Sequence, residues 1–171
     1  MAVYARKKYG SSGIEYQLFA DKPIFNFKSF ILRNSGNDWV YTLLRDGMMQ
    51  TLVKDRMDID LQGYRPAVVF LNGRYWGIHN LREKLNEHYL ESNYGIDHEK
   101  VDLLEGNHAV LEGDRDHYRA MMEFLKSTDI TSLEAYGYLK GQMDVGEYIN
   151  YQLAQIYFAN TDWFDDNIKY W

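Results

Sequence analysis

Pro66-Ala-Val-Val-Phe-Leu-Asn72-Gly73-Arg-Tyr-Trp-Gly-Ile-His-Asn-Leu81 is the stretch that decides the fold. Two apolar runs flank Asn72-Gly73, the dipeptide that best accepts the positive φ angles of a type I′ turn. The pattern predicts a β-hairpin with strands over 67–71 and 75–81. Both runs are nearly all apolar, which predicts a sheet covered on at least one face. Arg82-Glu83-Lys84 ends the second strand.

On the N-terminal side, Val3-Tyr4-Ala5 and Ile14-Glu-Tyr-Gln-Leu-Phe19 read as short strands. Gly10-Ser-Ser-Gly13 between them reads as a turn, so a second hairpin is expected. Phe27-Lys-Ser-Phe-Ile-Leu-Arg33 predicts a further strand. Asn34 to Asp38 is a loop of turn formers, with Asp38 as the N-cap of a helix opening at Trp39. Val40, Leu43, Leu44, Met48, Leu52 and Val53 keep helical spacing up to Lys54. Gly47 lies inside this helix at a cost of about 1 kcal/mol relative to Ala, which close packing against another backbone would justify.

On the C-terminal side, Leu85 to Tyr94 predicts a helix, stopped by Gly95. Val101-Asp-Leu-Leu104 is a short strand, and residues 118–126 and 132–140 have helical character. Asp144-Val-Gly-Glu147 resembles a capping box with Asp in the Ser/Thr place, and it opens the last helix. Strands come first and helices later. That order predicts an α+β fold, one domain with a β-rich lobe over 1–83 and a mostly helical lobe over 84–171.

Composition narrows the function classes. The net charge is −6 and no long basic run is present, which argues against a nucleic-acid partner. No stretch approaches the roughly 20 apolar residues of a transmembrane helix. With no Cys, disulfides and thiolate chemistry are excluded. The 15 Tyr suit wet clefts and interfaces as well as a core. His79, His88, His98, His108 and His117 include no i,i+4 pair and no HExxH, which argues against zinc. Neither an EF-hand loop, a Walker-type phosphate loop nor a GxSxG elbow is present.

Chemistry concentrates in Gln155-Ile-Tyr-Phe-Ala-Asn160-Thr-Asp162-Trp-Phe-Asp-Asp-Asn167-Ile-Lys-Tyr-Trp171. An apolar helix runs into an acidic turn, with four residues between Asp162 and Asn167. A phosphoryl-transfer loop needs a carboxylate to take the nucleophile's proton and a carboxamide to hold a metal ion against the phosphates. The preceding helix is expected to be buried and to support both. Asp and Asn are also common in turns for plain backbone reasons, so an ordinary turn is the alternative. Glu83 is a candidate cofactor-binding residue or a solvated strand-end charge paired with a neighbouring Lys or Arg. Arg33 is a candidate phosphate ligand through its planar fork of donors, or a structural partner of Asp38 or Asp46.

Several segments together resemble one family. They are Phe30-Ile-Leu-Arg-Asn-Ser-Gly-Asn-Asp-Trp39, Arg45-Asp46, Tyr64 through Ile78, Leu81-Arg-Glu83 and Asn160 through Asn167. They look like the spore coat protein H (CotH) kinase family, and the LRNSGNDW and NTDW segments resemble its bacterial envelope or secreted branch. The resemblance implies an atypical protein-kinase-like fold that uses ATP and Mg²⁺ to phosphorylate protein Ser/Thr hydroxyls. It implies Asp162 as the catalytic Asp and Asn167 as the metal ligand, at the spacing of the kinase pattern D-x-x-x-x-N.

The chain also departs from that pattern. Asn160-Thr161 stands where ordinary kinases carry His-Arg. The family's second metal-binding Asp is expected beyond Trp171, and part of its phosphate-contacting segment before Met1. No phosphate-binding Lys is assignable, Lys28 being the nearest to a candidate strand. The chain on its own is therefore expected to bind ATP–Mg²⁺ poorly, and its sheet edges could pair with a second copy. An adhesive cell-surface module or a structural envelope protein on the same fold is the alternative.

Overall fold

A computed structural model describes residues 1–163 and 168–171. Its architecture is mixed, with five α-helices and two antiparallel sheets among the described residues, compatible with the expected α+β class. The chain divides into two compact units, residues 1–54 with 61–98 and residues 55–60 with 99–171.

The first unit contains β1 (Ala2–Tyr4), β2 (Ser29–Arg33), α1 (Arg45–Val53), β3 (Tyr64–Leu71), β4 (Arg74–Glu83) and α2 (Glu87–Tyr94). Its sheet has the order β1-β2-β4-β3. The hairpin forms as the turn chemistry requires, with Asn72 at φ 50° and Gly73 at φ 76°. Its two ends differ. Asn80, Leu81, Arg82 and Glu83 at the base are buried. Val68, Phe70, Tyr75 and Trp76 towards the tip stand exposed, so the expected cover reaches only the base.

The N-terminal hairpin does not form. β1 pairs with β2, and Ile14 makes only an isolated bridge to Phe27. Leu18 and Phe19 both enter the core, which successive residues of a half-buried strand cannot do. They pack with Phe27 and Leu81, flanked by Ile14, Ile24, Phe30 and Leu32. Gly63 admits the Phe19 ring, since a Cβ there would lie 2.5 Å from it.

The helix expected from Trp39 is split. A 3₁₀ turn spans Gly36–Val40, Leu43 sits at φ 66°, and α1 begins only at Arg45. Asp38 explains the break. Its carboxylate accepts from the Thr42 hydroxyl at 2.6 Å, the Arg45 amide at 3.0 Å and the Thr42 amide at 3.2 Å. Asp38 thus holds the entry to α1 from seven residues upstream, a side-chain bond outcompeting a regular helix. These bonds, the Thr42 hydroxyl foremost, hold its pKa below the ordinary carboxylate range. Gly47 meets an aromatic ring rather than a backbone: a Cβ there would lie 2.5 Å from Tyr64.

The second unit contains β5 (Leu103–Glu105), β6 (Ala109–Glu112), α3 (Asp116–Ser127), α4 (Leu133–Gln142), α5 (Val145–Tyr157) and β7 (Lys169–Tyr170). Its sheet has the order β6-β5-β7, and β6 was not foreseen in the sequence. Ser132 caps α4 through the Ala135 amide at 3.1 Å, and Asp144 caps α5 through the Glu147 amide at 2.9 Å. Only that half of the capping box forms. The Glu147 carboxylate accepts instead from the Asp60 amide at 2.9 Å. Burial and then the Asp60 charge raise the Glu147 pKa. No helix of the described residues is long and apolar enough to cross a membrane.

α5 is not the buried support that the sequence predicts. Ala154 is its one buried residue, whereas Ile149, Leu153, Ile156 and Tyr157 are exposed. Their spacing makes an apolar stripe, and the periodicity identified the helix correctly without showing what its stripe would face.

Candidate active site

The loop after α5 is built from short-range bonds. The amides of Phe158, Ala159 and Asn160 donate to the carbonyls of Ala154, Ile156 and Gln155, each at 3.0 Å, which closes the helix end. Ala159 takes the left-handed conformation at φ 49°, the usual way to turn a chain out of a helix, here without Gly. Asn160 then works in both directions. Its Nδ2 donates to Gln155 Oε1 at 2.7 Å, and its Oδ1 accepts from the Asp162 amide at 3.1 Å. This Asx turn fixes the backbone of Asp162, which is exposed.

The far side of the loop is tied to the second unit's sheet. Leu104 pairs with Tyr170 and Glu105 with Lys169, and the Gly106 amide donates to the Ile168 carbonyl at 2.8 Å. Tyr170 packs at a tilt against Tyr118 and meets His108 Nδ1 through its hydroxyl at 2.6 Å. Burial, then Tyr118, raises its pKa to about 12, so the phenol is neutral at any ordinary pH. Trp171 Nε1 donates to Asp60 at 2.9 Å, and Trp163 packs edge-on against Tyr151 of α5. Asn167, the expected metal ligand, lies outside the described residues.

Glu83 occupies a different environment in the first unit. It is 3% exposed. Oε2 accepts from Lys22 Nζ and from the Gly63 amide at 2.6 Å, and Oε1 accepts from Asn93 Nδ2 at 3.0 Å. Lys22 Nζ also donates to Asn93 Oδ1 at 2.7 Å and to the Leu61 carbonyl at 2.9 Å, so all three of its donors are engaged. The ammonium lies over the Tyr89 ring as well, 5.2 Å from its centroid. Glu83 is therefore paired with a lysine, as one of its two sequence readings held, but it is buried rather than solvated and the partner lies 61 residues away rather than next door.

Arg33 closes β2 opposite Asn80 and is exposed. It takes neither of its two expected structural partners. Asp38 pairs with Arg45 at 3.5 Å, and Asp46 pairs with Arg82 at 3.3 Å. Arg82 is 1% exposed, and its Nε and Nη1 lack hydrogen-bond partners. Its guanidinium lies over the Tyr64 ring at 5.6 Å, which compensates part of that loss. Burial lowers its pKa, opposed by the Asp46 charge.

Two contributors escaped sequence reasoning. Asn160 orders the turn, and the signal for it was an Asx residue two positions before the candidate acid. Lys22 sits in a loop without periodicity, and no local signal links it to Glu83.

The model of the family described as CotH kinase protein matches residues 4–171. The chain belongs to that family. No curated protein and no solved structure matches it. Within this CotH chain, the match covers the hairpin, the Glu83 network and the Asp162 turn alike.

Proposed function

We propose that this CotH domain transfers the γ-phosphoryl group of ATP to protein Ser/Thr hydroxyls on a kinase-like fold. The family match over residues 4–171 carries the reading. The exposed Asp162, fixed by an Asx turn at the end of α5, supports it. Family membership implies nucleotide and metal use, and the donor types fit: the oxygens of Asp162 and Asn167 are hard ligands of the kind Mg²⁺ takes. Bound ATP–Mg²⁺ would supply the phosphoryl group and neutralise its charge. The chain's own part is positioning and proton transfer. Asp162 would accept the proton of the acceptor hydroxyl as its oxygen bonds to the γ-phosphorus, while the bond from that phosphorus to the bridging oxygen breaks and ADP leaves. Asn160 keeps the Asp162 backbone in place. Arg33 offers its exposed fork to phosphate oxygens. Glu83 contributes by holding Lys22 and the Gly63 backbone rather than by exposing a free oxygen.

The resemblance of LRNSGNDW and NTDW to the envelope or secreted branch supports a bacterial extracytoplasmic setting. The test is ATP- and Mg²⁺-dependent incorporation of phosphate into protein. It is run on the protein with and without Asp162→Asn, and transfer that depends on Asp162 is expected. Unchanged transfer in Asp162→Asn would overturn the assignment.

A further inference from the structure

His88, Glu91 and His98 converge in the first unit, with one ligand atom from each within 4.8 Å of the others. Local geometry brings them together. His88 and Glu91 stand three residues apart on α2 and so share a face. Gly95 caps that helix in the left-handed conformation at φ 70°, its amide bonded to the Glu91 carbonyl at 3.0 Å. The reversal returns the chain to the same face and delivers His98 in a 3₁₀ turn. No i,i+4 pair is needed for this, which is why histidine spacing alone argued against zinc.

The contacts have the dimensions of a metal site. His88 Nδ1 lies 3.3 Å from one Glu91 oxygen, and His98 Nδ1 lies 3.1 Å from the other. Two ligands about 2.0–2.1 Å from a tetrahedral zinc ion stand about 3.3 Å apart. The two rings lie with centroids 4.9 Å apart, close enough for one ion to serve both. A second observation points the same way. Glu87 Oε1 lies 3.4 Å from His88 Nε2, the nitrogen turned away from the cluster. A carboxylate there attracts a proton on the outer nitrogen without a formed hydrogen bond, the kind of partner that backs metal-ligating histidines. The three side chains are partly accessible, which leaves an entry path and room for a water.

We infer that His88, Glu91 and His98 bind one divalent ion of the Zn²⁺ class, with Glu87 as the residue that orients His88. Two imidazoles and one carboxylate select Zn²⁺, Co²⁺ or Ni²⁺ over Mg²⁺, which prefers oxygen ligands alone. The site is independent of the Mg²⁺ implied for phosphoryl transfer. Its effect is to clip His98 to the end of α2 and stabilise the first unit by binding linkage.

The experiment is calorimetric titration of the chelator-treated 171-residue chain with Zn²⁺, paired with the visible absorption of bound Co²⁺. One equivalent is expected, with a tetrahedral cobalt spectrum, a zinc-dependent rise in Tm, and no displacement by millimolar Mg²⁺. His98→Ala and Glu91→Gln should each weaken binding by more than the roughly 10- to 100-fold expected of Glu87→Gln. His117→Ala should leave it unchanged. His98→Gln keeps size and polarity, so a loss shared by both His98 variants while Tm without metal is unaltered reports ligation rather than folding. Absence of binding by the folded wild-type chain would overturn the inference. Equal binding by the His88→Ala/His98→Ala double variant, or displacement by Mg²⁺, would do so as well.

Discussion

Glu83 and Asp162 are both carboxylates beside the end of a regular element, and their surroundings are opposite. Glu83 is buried, and protein donors reach both of its oxygens across separations of 10, 20 and 61 residues. Asp162 is exposed, and its backbone is fixed by a side chain two residues away. Removing charge from the first disrupts three segments of chain. The turn at the second is made through its backbone amide, by Asn160. Burial with saturation marks a structural carboxylate, and exposure on a locally rigid turn marks one that can meet a substrate.

The largest effect is expected at Asp162. In a polypeptide with phosphotransfer activity, Asp162→Asn should lower kcat by about 10²–10⁴-fold with Tm nearly unchanged. Radiolabel transfer and a thermal melt on one preparation decide it. Unfolding would erase the contrast with Glu83. At Glu83 the order reverses. Glu83→Ala strands Lys22 in a largely buried position and should cost about 3–5 kcal/mol, read from the urea midpoint. A loss of activity with stability intact would make Glu83 a ligand-binding residue instead.

Asn160→Ala tests whether the turn positions the acid. Loosening Asp162 should reduce kcat by about 10- to 100-fold, while the loop's exposure confines the stability change to about 1 kcal/mol. An Asn160→Asp variant keeps the acceptor for the Asp162 amide and should recover part of the rate. The smallest effect concerns Asp38, a third carboxylate, buried and saturated like Glu83. Its pKa is depressed in the folded chain, with Thr42 the chief cause. The stability that it contributes is fully present above the unfolded value of about 4 and is lost as pH falls through the folded value. Melts of wild type and Thr42→Val between neutral and acid pH should converge at the acid end. A constant gap would mean that the hydroxyl bond acts independently of Asp38 ionisation.

What could be read from the sequence follows the range of the interactions. The Asn72-Gly73 hairpin, the Gly95 stop and the Asp144 cap depend on neighbours within a few residues, and all of them formed. Segment 14–19 looked like a strand, but its backbone is set by Leu18 and Phe19 packing on Phe27 and Leu81. Asp38 was correctly identified as a capping residue and wrongly matched to a helix, because its reach to Arg45 spans a φ > 0 residue that no spacing rule anticipates. At the candidate site, Asp162 was singled out by its spacing and Arg33 by its residue type. Lys22 was not, since its role exists only once Glu83, Asn93 and Leu61 have been gathered around it.

That gathering has a kinetic side. Lys22 joins positions 39, 61 and 71 residues further along the chain, so its bonds close long loops. Loop closure must precede the reward from each such contact, which sets them late in folding, after the local hairpin and helices. Interactions that form after the transition state govern how fast a chain opens rather than how fast it assembles. Lys22 therefore works as a latch on lifetime: its replacement by Met should leave the refolding limb of a chevron almost untouched and raise the unfolding limb.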